Sequence, residues 1–167
     1  MIEEQNDALK RRIKVAVNRY QFAVDCLGTG KRIIDLASGM GYGSYLLSMA
    51  GNSVVGVDRS IKAVEYAKIH YPGEYIVDDL ETMEIGEFDA GVCMEALCHL
   101  VNPQKFKDKL NFKELVISSP IDPGNDGYYY RLHNLSEDSF KGMFKGWKII
   151  KEFKQKKYLT LYCKKYE

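Results

Sequence analysis

The chain has 167 residues, of which 46% are hydrophobic and 28% are charged, with a formal net charge of +1 at neutral pH. This length predicts one domain with a core large enough to fold without disulfides. The near-zero net charge gives no global attraction to nucleic acid or to an anionic membrane. Since no apolar run approaches the length of a membrane span, we expect no membrane partner.

The cysteines and the N-terminal segment indicate the compartment. Cys26, Cys93, Cys98 and Cys163 include no pair at CxxC spacing, which predicts reduced, mostly buried thiols instead of a disulfide framework or a zinc site. We therefore expect no metal. The opening "MIEEQNDALKRR" is charged and lacks the apolar segment of a secretory signal, so a cytoplasmic protein is expected.

Hydrophobic periodicity predicts alternating strands and helices over the first 120 residues. Apolar positions at helical spacing over 3–27 predict one or two helices that end at "GTG". Five strands are predicted at "RIIDLA", "SVVGVD", "EYIVDD", "FDAGVCMEAL" and "KELVISS", the fourth running into a short helix. Further helices are predicted at "YGSYLLSMAG" and at "SIKAVEYAKIHY", the latter capped by Ser60. The apolar face of that helix is assigned to Ile61, Val64, Ala67 and Ile69.

The amino-acid composition of the chain changes after Pro120. A loop rich in proline, glycine and asparagine precedes a predicted helix at "SEDSFKGMF". The segment "WKIIKEFKQKKYLTLYCKK" alternates apolar and polar residues around a polar turn at 155–157, which predicts an antiparallel hairpin.

The predicted fold is α/β: a doubly wound, mostly parallel, seven-stranded Rossmann-like sheet with a C-terminal antiparallel hairpin, because strands that alternate with helices are joined by right-handed crossovers. We divide a single domain over 1–167 into an N-terminal helical cap (1–28), a cofactor-binding core (29–120), and a lid-like loop, helix and hairpin (121–167).

The stretch "IIDLASGMGYGS" places glycines at 39, 41 and 43 directly after a predicted strand that ends near Asp35. Such a turn brings backbone N–H groups to a ligand, although a merely flexible connection is the alternative. The next strand ends at Asp58, where a carboxylate can accept hydrogen bonds from both ribose hydroxyls; a helix N-cap or a solvated loop residue is the alternative. Ser44 stands where the dinucleotide motif GxGxxG needs its third glycine, which disfavours a nicotinamide cofactor, and the phosphate-loop motif is absent.

Four successive segments, "DLASGMGYGS", "VVGVDRS", "VDDLETM" and "FDAGVCMEALCHL", resemble the motifs of the class I S-adenosylmethionine-dependent methyltransferases. The resemblance extends from about Arg19 to the final hairpin and is strongest to small members that methylate sugars or other small metabolites. It implies S-adenosyl-L-methionine as cofactor, S-adenosyl-L-homocysteine as product and a small-molecule methyl acceptor.

The resemblance also implies roles for individual residues. Asp35 would hold the amino group of the cofactor directly or through water, and Asp58 would bind the ribose. Asp79, rather than its neighbour Asp78, would read the adenine edge together with the backbone of Leu80. The implied cofactor-binding set is Asp35, Ala37, Ser38, Gly39, Gly41, Tyr42, Asp58, Arg59, Asp79, Leu80, Met94 and Glu95.

A hydroxyl acceptor must lose a proton during transfer, and histidine is the side chain suited to this near neutral pH. His99 is the first candidate because it lies one helical turn after Glu95, itself a catalytic candidate; simple helix packing is the alternative. His133 is the second candidate, in a segment where three tyrosines, 128–130, would either stack on the acceptor or pack the loop on the sheet.

Two other functions stay open at this stage. A methyltransferase-like subunit without activity would keep the same motifs and bind the cofactor or a protein partner, and a methyltransferase that acts on RNA or protein is the less favoured alternative. Nucleic acid is an improbable substrate, because the [DN]PP[YF] element of base methyltransferases is replaced by "CMEA", and the lysines of the hairpin are better explained by a solvated strand face than by an RNA-contacting surface.

Overall fold

The computed structural model of the chain describes residues 2–122 and 131–166. The three tyrosines predicted to stack on the acceptor or on the sheet lie outside these ranges. The described elements in chain order are α1 (Ile2–Leu27), β1 (Arg32–Leu36), α2 (Tyr42–Met49), β2 (Ser53–Asp58), α3 (Ile61–His70), β3 (Glu74–Val77), β4 (Ala90–Met94), a 3-10 turn (Leu97–His99), α4 (Pro103–Lys109), β5 (Glu114–Pro120), α5 (Glu137–Gly142), β6 (Trp147–Gln155) and β7 (Tyr158–Lys165).

The seven strands form one sheet in the order β3-β2-β1-β4-β5-β7-β6. Strands β1 to β5 pair in parallel, and β7 lies antiparallel between β5 and β6. This confirms the predicted doubly wound sheet with its terminal hairpin. The strand order reverses between β1 and β4, and ligands of open α/β sheets bind at such a reversal, outside the carboxyl ends of the strands.

Three of the helices have a short polar side chain as their N-cap. The Ser60 hydroxyl accepts a hydrogen bond from the Ala63 N–H at the start of α3, as predicted, and Ser136 does the same for α5. Helix α4, which the sequence analysis missed, begins with Pro103 after Asn102, whose side chain accepts from the Lys105 N–H. A helix of only seven residues contains too few turns to produce a clear periodicity.

The apolar face predicted for α3 is half wrong. Val64 and Ala67 are buried, but Ile61 and Ile69 are 61% and 78% exposed. Ile69 follows Ala67 by two residues, which is about 200° around a helix, so the two cannot share a face. Ile61 is the first residue of the helix, which packs on the outer strands β2 and β3 of the sheet.

Helix α1 covers one face of the sheet with its C-terminal half. Tyr20, Ala23 and Leu27 are buried in a cluster with residues of β1, β4, β5 and β7. The cysteines are free thiols, half-buried at Cys26 and buried at the other three positions, as predicted. Within the described ranges, no helix combines the length and apolar character that crossing a membrane requires.

A substitution at Gly91 on β4 can test how tightly side chains pack against this sheet. A Cβ at this position would lie 2.3 and 2.6 Å from two ring carbons of Phe112, a fully buried side chain. Because that ring has no room to move, we expect Gly91→Ala to lower the free energy of unfolding in urea by about 1–3 kcal/mol. Gly142→Ala is the control, since its Cβ would meet no described atom within 4 Å, and it should change stability by less than about 1 kcal/mol. Equal losses would rule out the Phe112 contact as the cause.

Candidate functional site

The glycine loop after β1 uses its three glycines for different purposes. Gly39 has a φ of 55°, and a Cβ built on it meets no described atom within 4 Å, so its backbone faces open space. Gly41 has a φ of 85°, and its Cβ would lie 2.6 Å from that of Ala67. At Gly43 the Cβ would lie 2.0 Å from the ring of Tyr20. Gly39 is therefore the glycine whose backbone a ligand can approach, while the other two make room for protein side chains.

Asp58, at the end of β2, fastens this loop to the sheet. Its Oδ2 accepts a hydrogen bond from the Gly39 N–H at 2.9 Å, and its Oδ1 accepts one from the Ser60 N–H at 2.9 Å. The N-cap of α3 is Ser60, so the alternative reading of Asp58 as the helix N-cap is wrong. Each carboxylate oxygen has two lone pairs, so one on each is left for a ligand.

A cleft of about 270 Å³ opens at the carboxyl ends of β1, β2 and β4. It brings together residues predicted from all four motifs, among them the acids Asp58, Asp79 and Glu95. Of the two neighbouring acids after β3, it is Asp79 that lines the cleft. The lining residues are Ala37, Asp58, Arg59, Asp79, Leu80, Met94, Glu95, Ala96, His99 and Leu100.

Two cleft residues adopt backbone conformations that L-amino acids rarely use. Ala37 has a φ of 64° and Glu95 a φ of 59°, and they follow the ends of β1 and β4. Strain of this kind, on the order of 1–3 kcal/mol per residue, persists where the surroundings enforce it and clusters at functional sites. The helical register predicted from Glu95 to His99 is wrong, because a left-handed residue cannot continue into a helix. Both side chains nevertheless reach the cleft.

Asp35 is completely buried and does not line the cleft. The Tyr20 hydroxyl donates to its carboxylate at 3.0 Å, and the Ser44 hydroxyl donates to Oδ2 at 2.6 Å. Burial raises the pKa of Asp35 to about 6, although both hydroxyls favour the ionised form. Ser44, the residue in place of the third dinucleotide glycine, is thus a hydrogen-bond donor to this acid. A contact between Asp35 and the cofactor amino group stays a prediction.

The other predicted cofactor residues lie behind the cleft wall. Ser38 is buried, and its Oγ would be 3.0 Å from a Cβ on Gly56 of β2. Tyr42 is half-buried and packs edge-on against Tyr20, with ring centroids 5.4 Å apart. Burial raises the pKa of the Tyr42 hydroxyl to about 12. Together with Gly39 and Gly41, these residues belong to the glycine loop and the start of α2 and are not among the residues that line the cleft.

His133 lies beside the cleft and does not line it. Its Nε2 is 2.9 Å from the Leu100 carbonyl oxygen. A carbonyl can only accept, so Nε2 carries the proton and Nδ1 is the nitrogen that could take one up. Its backbone N–H also donates to the Cys98 carbonyl. His99, in contrast, lines the cleft directly.

Sequence reasoning missed the contribution of α1. Arg19 is only 5% exposed and forms an ion pair with the cleft residue Glu95. Tyr20 fills the space above Gly43 and binds Asp35. In the structure Arg19 lies four residues before the buried Ala23 and therefore on the same helix face, but the sequence alone does not show that this face is buried. A charged residue on a buried face requires a partner.

This combination of features defines a class of protein. Ala37 directly after β1, an acid at the end of β2 and another after β3 meet in one cleft at the reversal of a mostly parallel sheet, in which β7 runs antiparallel between β5 and β6. That arrangement is the one implied for the class I S-adenosylmethionine-dependent methyltransferases.

Comparisons with known proteins agree. The family described as "Methyltransferase domain" matches residues 34–111. The ubiquinone biosynthesis O-methyltransferase of Dechloromonas aromatica is 37% identical over 82 residues, which are 44% of this chain and 35% of that protein. The match thus spans about a third of the length of such curated relatives.

Solved structures match over nearly the whole chain. An S-adenosylmethionine dependent methyltransferase from Mesorhizobium loti has a TM-score of 0.71 at 16% identity, over 82% of this chain and 92% of that one. The magnesium protoporphyrin IX methyltransferase of Synechocystis PCC 6803, solved with bound SAH, has a TM-score of 0.71 at 18% identity, over 95% and 84%. Residues 34–111 thus match the methyltransferase domain family, and the fold of the described chain is that of methyltransferases of known structure.

The buried Asp35 generates a prediction about pH. Because its pKa is raised on folding, the folded chain binds this proton more tightly than the unfolded chain, and stability should increase as the pH falls from about 7 toward 4. Relative to Asp35→Asn, which does not titrate, the wild type should gain about 1–3 kcal/mol in the free energy of unfolding over this window. Urea titrations at several pH values measure the difference, and parallel curves for the two proteins would contradict the assignment.

Proposed function

We propose that this chain binds S-adenosylmethionine in the cleft and transfers its methyl group to a small-molecule acceptor, with a hydroxyl oxygen as the favoured acceptor atom. The observation that carries the proposal is the convergence of Asp58, Asp79 and Glu95 on one cleft beside the open backbone of Gly39. The name of the Dechloromonas relative, an O-methyltransferase, supports the choice of oxygen.

The residues present fit this cofactor. Asp58 has both oxygens anchored by backbone N–H groups and still has lone pairs for the ribose hydroxyls. Asp79 is held in a similar way. Its Oδ1 accepts a hydrogen bond from the backbone N–H of Glu81, and its backbone N–H donates to Oδ1 of Asp78. Leu80 supplies an apolar wall for a purine. Preorganised groups of this kind bind without further ordering.

When bound, S-adenosylmethionine supplies a methyl group activated by its sulfonium, and transfer breaks the carbon–sulfur bond and leaves S-adenosylhomocysteine. The tasks of the protein are therefore to align the acceptor and to accept the hydroxyl proton. His99 is the proposed base, since its side chain lines the cleft with Glu95. His133 is the less favourable choice, because Nε2 is occupied by the Leu100 carbonyl.

A cofactor-binding subunit without activity is the second candidate. The strained backbone at Ala37 and Glu95 argues for a working site, since conformations of this kind are maintained where function uses them. A nucleic-acid substrate is not favoured, because some hairpin lysines have intramolecular partners. Lys154 pairs with Glu137, and Lys164 pairs with Glu114.

Cofactor binding can be tested by calorimetry with S-adenosylhomocysteine. Asp58→Ala should weaken binding by about 1–3 kcal/mol, the usual effect of losing a charged hydrogen-bond acceptor. Asp79→Ala should also weaken it, whereas the neighbouring Asp78→Ala should have a much smaller effect, because Asp78 does not line the cleft. Equal affinities for Asp78→Ala and Asp79→Ala would remove Asp79 from the site. Preference for NAD over S-adenosylhomocysteine in the wild type would refute the proposal.

The role of His99 can be tested with labelled S-adenosylmethionine and a panel of small phenols, alcohols and sugars. At saturating cofactor, we expect His99→Ala to reduce methyl transfer by about 10²–10⁴-fold, the usual contribution of a general base. His133→Ala is the matched control and should have the smaller effect. If His99→Ala and the wild type transfer at the same rate, alignment alone accounts for the reaction.

A further inference from the structure

The ammonium group of Lys109, the last residue of α4, lies against the loop that follows β3. Its Nζ donates to three backbone carbonyl oxygens of that loop, at 2.8 Å to Leu80 and at 3.1 Å to both Glu81 and Met83. A lysine ammonium has three donors and no acceptor, so these contacts use its full hydrogen-bonding capacity. Lys109 is half-buried, and its contacts join α4 to one short stretch of backbone.

The other end of α4 holds the same loop. The backbone N–H of Asn102, the N-cap of α4, donates to Oε1 of Glu81 at 3.0 Å. Within the loop, the Asp79 carbonyl accepts from the Met83 N–H at 2.8 Å, which closes a single helical turn. Such a turn ends in carbonyls that no further helical N–H can reach, and the ammonium of Lys109 supplies the donors.

This loop forms one wall of the cleft. Asp79 and Leu80 line the cleft, whereas Lys109 does not. The segment that leads into α4 forms another wall, since His99 and Leu100 also line the cleft. Lys109 therefore joins the wall that carries Asp79 to the helix that follows His99. Because hydrogen bonds weaken steeply with misalignment, the position of the Asp79 carboxylate depends on how firmly its loop is held.

We propose that Lys109 is a positioning residue for purine recognition, which holds Asp79 where its carboxylate accepts a hydrogen bond from the amino group of adenine. The inference rests on the proposed function, because it deepens the description of the same cofactor site. It also explains selectivity between purines. An amino group donates to a carboxylate, but the oxo group of hypoxanthine is an acceptor, so a carboxylate that cannot move away rejects it.

The first experiment compares, in calorimetry, S-adenosylhomocysteine with S-inosylhomocysteine, in which an oxo group replaces the amino group of adenine. The wild type should prefer S-adenosylhomocysteine by about 10-fold or more. In Lys109→Met, which keeps the side-chain length but has no donors, that ratio should fall toward one. Lys109→Arg should give an intermediate ratio, because a planar fork cannot direct its donors at three converging carbonyls. Since the ratio is taken within each variant, a general loss of stability cancels.

Lys105→Met is the matched control for this comparison. Lys105 belongs to the same helix and carries the same charge, but its side chain is exposed. This variant should keep the wild-type ratio of the two affinities. A wild-type ratio in Lys109→Met would overturn the inference, and so would equal affinities of the wild type for the two analogues.

Hydrogen exchange in the ligand-free protein, measured by mass spectrometry, tests the loop directly. In Lys109→Met, a peptide that spans 79–83 should exchange about 10-fold faster than in the wild type, while a peptide that spans β1 should be unchanged. Unchanged exchange at 79–83, or equal acceleration in both peptides, would contradict the positioning role. Failure of the wild type to bind either analogue would instead refute the proposed function, and the exchange rates would still decide whether Lys109 holds the loop.

Discussion

The buried carboxylate of Asp35 is the point on which the geometry of the site depends. It lies at the centre of the sheet on β1, where burial makes an isolated charge costly. Its two hydroxyl donors come from elements on either side of the loop, Tyr20 on α1 and Ser44 on α2. One acid thus joins the N-terminal helix, the first strand and the glycine loop, and it fixes the loop backbone before any ligand arrives.

The glycines of the loop follow from this arrangement. Tyr20 can reach Asp35 only if nothing projects from residue 43, where any Cβ would lie 2.0 Å from its ring. Residue 41 is likewise constrained by Ala67 and Tyr75. Two of the three glycines that indicate a ligand site in the sequence therefore serve packing within the protein, and Gly39 is the one whose Cβ position is open.

Sequence patterns within a few residues were sufficient to predict most of the fold and half of the candidate site. Strand alternation, the cap at Ser60 and the order of acids after β2 and β3 are all encoded within a few residues, so the sheet and Asp58 could be predicted. The contacts of Arg19 and Tyr20 depend on α1 docking across strands far away in sequence, which no local pattern specifies. The left-handed backbone at Glu95 was hidden for the same reason, since the hydrogen bonds of its N–H to Ser118 come from β5.

The pairing of Glu95 with Arg19 also bears on catalysis. A sulfonium is cationic before transfer and becomes a neutral thioether afterwards, so an uncompensated carboxylate beside it would stabilise the ground state more than the transition state. The guanidinium of Arg19 offsets that charge while keeping Glu95 at the cleft wall. If transfer takes place beside Glu95 and His99, as proposed, the ion pair allows an acidic residue to line the cleft without holding the methyl donor in its charged form.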